Sequence, residues 1–272
     1  MPSRRGRERT DYRVGWRSHE AALAYEEDLH REESETGWLN EIERQVLTEV
    51  VDRQLGGREI RYLDFACGTG RIIAFLEERV GSATGIDASP QMLELARTRL
   101  TKAEVICGDV TADPAVLPGR YDLITAFRFF LNAGETLRSE VLKVLHQVLA
   151  DDGILVFNLH SNAWSLRALS VLFRRHVLRQ AWWNQRSFRQ VRRELRAHGF
   201  RVVELHGYNF LTGKVSRLLP AAAIPQIERS LARVRPLRYL GVHLLFVCRK
   251  APSPPQRARA SRSTSRTNRS SE

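Results

Sequence analysis

Apolar and polar positions in the middle of this chain switch repeatedly between two periods. Ile60–Phe65, Ala83–Ile86, Glu104–Cys107, Tyr121–Phe127 and Gly153–Leu159 are short, largely apolar runs of strand length. Between them, Thr69–Arg79, Pro90–Leu100 and Glu135–Leu149 repeat apolar residues every three or four positions, as a helix with one buried face requires. Pro90 falls in the first turn of its helix, where its missing N–H has no helical partner to lose. Upstream, Ser18–His30 and Trp38–Leu55 read as amphipathic helices. Downstream come a helix at Ser187–His198, a strand at Arg201–His206, a helical insertion near Ala221–Val234 and a last strand at Tyr239–Cys248. Apolar strands alternating with helices predict a parallel sheet covered on both faces. The last two strands lack that crossover rhythm and are expected to pair antiparallel at the edge. The fold class is α/β, with about seven strands.

Composition narrows this picture in three ways. The 272 residues suit one large domain with extensions. No run of eighteen apolar residues is present, so no spanning helix is expected, and the basic N-terminus lacks the apolar stretch of a secretory signal. Cys67, Cys107 and Cys248 lie far apart inside apolar runs, without metal-ligand spacing. They read as buried reduced thiols of a cytoplasmic protein, and no metal site is expected.

Charge is unevenly spread. The net charge is +12, yet 249–272 holds seven Lys/Arg against one Glu, 1–9 four Arg against one Glu, and 167–201 ten Arg against one Glu. The rest of the chain is therefore mildly acidic, which argues against nucleic acid as a partner of the whole body. Residues 251–272 are Ser/Arg/Pro-rich with no aliphatic side chain larger than Ala, too little to offset ordering entropy. The expected organisation is a basic disordered segment at 1–15, a domain at 16–250 with cap insertions at 161–186 and about 208–236, and a disordered tail at 251–272.

The most informative stretch is RYLDFACGTGRIIAFLEE, Arg61–Glu78, where a strand breaks into Gly68-Thr69-Gly70 and resumes as a helix. Such a turn at a strand's carboxyl end lets a ligand touch the main chain. The nicotinamide fingerprint would need a third small residue where Ile73 stands, so that match fails. LDFACGTG instead resembles motif I of the class I S-adenosylmethionine-dependent methyltransferases, with Ala66 at that family's first glycine. GIDASPQML (Gly85–Leu93), ICGDV (Ile106–Val110), YDLITAFRFFLN (Tyr121–Asn132) and LADDGILVFNLH (Leu149–His160) resemble its later elements, in order.

The resemblance implies a Rossmann-like sheet and S-adenosyl-L-methionine as cofactor. It implies that Asp64 lies beneath the glycine loop, orienting it or reaching the methionine amino group through water. Ala66, Cys67, Gly68 and Gly70 would shape the loop against the ligand. Asp87, with Ala88 beside it, would take the ribose hydroxyls. Asp109 and Val110 would meet the adenine, and Met92 and Phe127 would line the two ends. A methyltransferase of this kind would mainly align its acceptor and, for a hydroxyl, remove a proton. His160, ending the fifth strand, is the candidate general base. Arg128, Asn132 and Asn162 are candidate substrate contacts, and His19 and Tyr25 could close over the cofactor.

The expected partner is a small-molecule acceptor, with a hydroxyl favoured. Ser161–Gln185, with leucines at helical spacing among arginines and Trp182-Trp183, suggests a lid or a peripheral contact with anionic membrane. An RNA or protein methyltransferase tethered by its basic tail, and a non-catalytic binding subunit of the same fold, are the alternatives.

Overall fold

The computed structural model describes residues 39–165, 167–168, 185–211, 218–220 and 223–252. The helix expected at Ser18–His30 with His19 and Tyr25, both tails, and most of the 161–186 insertion lie outside the described residues.

A helix over 39–55 (α1) is followed by β1 (Arg61–Phe65), α2 (Arg71–Leu76, extended by a 3-10 turn), β2 (Ser82–Asp87), α3 (Pro90–Arg97) and β3 (Glu104–Cys107). Then come β4 (Tyr121–Ala126), a single turn α4 (Phe129–Asn132), α5 (Glu135–Val148) and β5 (Leu149–Leu159). The chain closes with α6 (Phe188–Ala197), β6 (Phe200–Tyr208), α7 (Ile224–Arg233) and β7 (His243–Lys250). The seven strands form one sheet in the order β3-β2-β1-β4-β5-β7-β6. The first five run parallel, and β7 enters antiparallel between β5 and β6. The antiparallel pairing expected at this edge is present.

Strand residues point alternately to the two faces, which divides the core. Leu63, Ile124, Leu155, Phe157 and Phe246 face α5 and α6. Tyr62, Leu123, Ile154, Val156, Leu245 and Val247 face α1 and α2. In α5, Leu137, Val141, Leu142, Leu145 and Val148 form one buried stripe. Each such side chain contributes about 1.5–3 kcal/mol on burial. Helix boundaries follow local chemistry: Ser89 caps α3 by accepting from the Met92 N–H, and Ser187 with Gln190 forms a capping box on α6.

Several details depart from the sequence reading. β5 begins at Leu149, four residues before Gly153, because the Asp151-Asp152 segment is taken into the sheet through a register shift against β4. Gly153 permits this approach, since a Cβ there would stand 3.0 Å from the carbonyl oxygens of Tyr121 and Asp122. Leu237–Tyr239 coils into a 3-10 turn, which delays β7 to His243. Cys67 and Cys248 are buried as expected, whereas Cys107 is exposed because β3 is the uncovered edge strand. Among the described residues no helix is long and apolar enough to cross a membrane, and no cluster of His, Cys, Asp and Glu could hold a metal ion.

Candidate functional site

The strand order reverses beside β1: β2 and β3 lie on one side and β4 returns on the other. In open α/β sheets such a switch point leaves a crevice beyond the strands' carboxyl ends. A cleft of about 1070 Å³, counting space open to solvent, lies there. It is lined by Asp64, Ala66, Cys67, Gly68, Asp87, Ala88, Met92, Asp109, Val110, Phe127, Arg128 and Asn132. Twelve of the fifteen described residues proposed from the sequence are thus brought together. Gly70, His160 and Asn162 are not part of the lining.

The turn between β1 and α2 is held by main-chain bonds. The Cys67 N–H donates to the Ile86 carbonyl at 3.1 Å, and the Gly70 N–H to the Cys67 carbonyl at 3.0 Å. Ala66, Gly68 and Gly70 all have positive φ, at 54°, 54° and 80°. For Ala66 this left-handed conformation carries a cost of about 1–2 kcal/mol that glycine would avoid. A Cβ on Gly68 would meet no atom within 4 Å, so the space beside its backbone is open. Gly70 serves packing instead. A Cβ there would stand 3.1 Å from the Ala96 Cβ, so its absence lets α2 lie against α3.

Two carboxylates flank the turn. Asp64 is buried and accepts from the Thr125 hydroxyl at 2.6 Å, which also lies 2.6 Å from the Tyr62 hydroxyl. Burial pushes Asp64 up to about 7, against the lowering effects of Thr125 and Arg71. Asp87, at the end of β2, accepts from the Gly68 N–H at 2.9 Å and the Ser89 N–H at 2.9 Å. The Ala88 N–H is a third donor, and three donors leave at least one of the four lone pairs for a further one. Burial raises Asp87 as well, partly offset by those N–H donors. Asp109 accepts from the Thr111 N–H at 2.9 Å and the Thr111 hydroxyl at 2.7 Å, an arrangement that turns the chain after β3.

On the β4–β5 side the cleft meets a polar cluster that the sequence did not disclose. Glu43 of α1 accepts from Arg71 at 2.9 Å, the Asn158 amide at 3.0 Å and the Tyr208 hydroxyl at 2.6 Å. Burial alone would raise its pKa; the Arg71 charge, the Tyr208 bond and the Arg128 charge reverse the sign and hold it at about 2. The Asn158 side-chain oxygen accepts from the Arg128 N–H at 2.7 Å, fixing Arg128 at a φ of 59°. The Asn132 amide donates to the Arg128 carbonyl at 2.6 Å. His160 is half-buried, with its Nδ1 sealed from solvent and, among the described residues, without a hydrogen-bond partner. Burial and then the Arg128 charge lower its pKa to about 4. Asn162, expected at the substrate, is instead spent on the backbone: its amide donates to the carbonyls of Tyr239 at 2.7 Å and Gly241 at 2.9 Å, and its oxygen accepts from the Trp164 N–H.

Arg71, Phe129, Leu137 and Val141 also line the cleft. Arg71 could have been suspected from its place directly after the glycine turn. Glu43 and Tyr208 carried no signal, because they lie 28 and 137 residues from Arg71 and meet it only in the fold.

Proteins similar to this chain include methyltransferases. A family model for a methyltransferase domain matches residues 63–153. The Bacillus subtilis protein YqeM, itself named only provisionally as a methyltransferase, is 33% identical over 110 residues. That alignment covers 38% of this chain and 43% of the relative, so the chain spans less than half the length of that relative. An S-adenosylmethionine-dependent methyltransferase from Clostridium acetobutylicum superposes with a TM-score of 0.55 at 13% identity, covering 84% of this chain and 99% of that one. Magnesium protoporphyrin IX methyltransferase from Synechocystis, solved with bound S-adenosylhomocysteine, gives a TM-score of 0.51 at 15% identity, with coverages of 77% and 84%. At these identities the two structures speak for the fold.

Proposed function

From the premise that this chain belongs to the class I S-adenosylmethionine-dependent methyltransferase family, we propose that it binds S-adenosylmethionine in the switch-point cleft and methylates an oxygen of a small-molecule acceptor. The observation that carries this reading is the pair of carboxylates, Asp64 and Asp87, on either side of an open, positive-φ turn. The residues present fit such a ligand. Asp87 has lone-pair capacity left to accept from the ribose hydroxyls, Asp64 a carboxyl to meet the methionine ammonium, and Met92 and Val110 apolar surface for the adenine. Bound there, the cofactor supplies an electrophilic methyl on a sulfonium. The protein's part is to shield that carbon from water and to align the acceptor oxygen, with Phe127, Arg128 and Asn132 at the mouth of β4. His160, which the sequence offered as a general base, is neutral near pH 7 and too weak a base for an aliphatic hydroxyl, and we assign it a place beside Arg128 behind the acceptor site. A cytoplasmic location goes with this reading, given the reduced cysteines.

A specific surface favours a second reading, peripheral contact with an anionic membrane. Arg189, Arg192, Arg193 and Arg196 are exposed on α6, while its Glu194 turns inward to Arg138 at 2.9 Å and Arg186 at 2.6 Å. Exposed Trp164 lies beside them, with the Arg189 guanidinium 5.3 Å from its ring centre.

The cofactor reading is tested by thermal denaturation. S-adenosylhomocysteine should raise the Tm and NAD should not, and Asp87→Ala should weaken the nucleoside at least about tenfold. Equal silence from both ligands would remove the proposal.

A further inference from the structure

The polar cluster beside the cleft says something about the chemistry of the acceptor. Tyr208 pairs with His243 and Leu159 with Leu244, so continuing the register places His160, His243 and Tyr208 on one rung across three strands. Residues of alternate parity on these strands, Val156, Leu245 and Tyr208, face α1, which puts Asn158 and both imidazoles on the side that carries Glu43. The members of this cluster are largely committed to one another. One oxygen of Glu43 is used by Asn158 and Tyr208 and the other by Arg71, while Asn158 spends its remaining oxygen on Arg128. Among the described residues the Nδ1 of His160 has no hydrogen-bond partner, and it lies close enough to Arg128 to feel its charge.

None of these groups is a strong base. The Glu43 carboxylate is stabilised by three donors, and the Tyr208 hydroxyl keeps its proton and donates its hydrogen bond to that carboxylate. Burial and the Arg128 charge leave His160 a weak base, and burial with the neighbouring His160 brings His243 to about 3. A general base far below working pH is poorly matched to an aliphatic alcohol. Arg128, by contrast, brings a permanent cation to the cleft wall.

We infer that the methylated oxygen belongs to an acidic group, a carboxylate or an ionised phenol or enol, held as its anion by Arg128. The inference rests on the cofactor reading above and names the acceptor class for the same site. The step balances without a strong base: the anionic oxygen forms a bond to the methyl carbon as the carbon–sulfur bond breaks, and the electron pair stays on sulfur. An anion and a sulfonium become a neutral ester or ether and a neutral thioether. The product then loses its attraction to Arg128, which favours its release.

The experiment uses the full-length protein saturated with S-adenosylhomocysteine and titrates three probes of similar shape by calorimetry at pH 8: benzoate, 4-nitrophenolate and benzyl alcohol. At least one anion should bind tenfold or more tightly than the alcohol, and the stronger of the two distinguishes a carboxylate from a phenolate acceptor. Arg128→Gln should abolish the preference, and Arg128→Lys should keep part of it. The wild-type comparison stands even if a variant fails to fold. Benzyl alcohol binding as well as both anions, neither anion binding, or a preference that survives Arg128→Gln would overturn the inference. If S-adenosylhomocysteine itself does not bind, the cofactor reading falls and takes this one with it. Nucleoside binding without anion preference removes the acceptor class alone.

Discussion

Asp64 shows how burial can make a single carboxyl sensitive to pH near neutrality. Its pKa is pushed up to about 7, mainly by burial, so at that pH it is only partly ionised. The methionine ammonium of the cofactor would pair with the ionised form. As pH falls below 7 the empty site takes up a proton that binding must expel, so affinity falls; the raised pKa sets this direction. Between pH 7.5 and 5.5 the Kd for S-adenosylhomocysteine should rise by about 20-fold, and Asp64→Asn should flatten the dependence while weakening binding at the upper end. Calorimetric titration at several pH values measures both, and a flat wild-type profile would count against Asp64 as the ammonium's partner. The residue itself was legible, because a lone acid inside an apolar strand before a glycine turn is conspicuous. Its coupling to Thr125 and Tyr62 was not, since nothing in the local pattern says which side chains of β4 face β1.

At the scale of elements, sequence periodicity locates the strands and helices to within a few residues but not the ties between them. The clearest such tie is Glu77, at the end of α2. Its buried carboxylate accepts from the backbone N–H groups of Thr101 at 3.1 Å, Lys102 at 2.9 Å and Ala103 at 2.8 Å, and from the Thr101 hydroxyl at 3.1 Å. Burial works to raise its pKa, and the four donors outweigh it, so the group stays ionised. Glu77→Ala would orphan three main-chain donors in the loop between α3 and β3. It should cost about 2–4 kcal/mol in urea denaturation, with Glu77→Gln costing less. In the amino-acid pattern Glu77 looks like any solvent-facing acid near a helix end, because its partners lie 24 to 26 residues away. α4 also leaves no trace in that pattern: one turn is too short to display a period.

At the scale of the whole molecule, the distribution of charge matters more than its sum. α6 gathers four exposed arginines, Arg189, Arg192, Arg193 and Arg196, next to Trp164, on the flank of the sheet away from β3. If that face meets an anionic membrane, replacing Arg189, Arg192, Arg193 and Arg196 by Gln should cut co-sedimentation with phosphatidylglycerol-containing vesicles several-fold. Replacing the tail arginines 257, 259, 262 and 266 should have a smaller effect. Retention that depends only on total charge would reduce the membrane reading to non-specific attraction. The segment 169–184, with its further arginines and paired tryptophans, stands out by composition and lies outside the described residues.

Fold class, strand positions and the glycine turn with its two acidic companions follow from the amino-acid order, because each depends on neighbours within about twenty residues: periodicity, caps, turn chemistry and motif spacing are local. The partners of a side chain across the sheet are not local. Glu43, Tyr208 and His243 lie far apart in the chain, and only the insertion of β7 between β5 and β6 sets Tyr208 and His243 on the face that meets Glu43 of α1. The same packing turns Asn162 into a backbone brace and Gly70 into a helix-packing residue. It also makes His160 a weak base rather than one poised near neutrality, since the burial and the positive charge that lower its pKa exist only once the chain has folded.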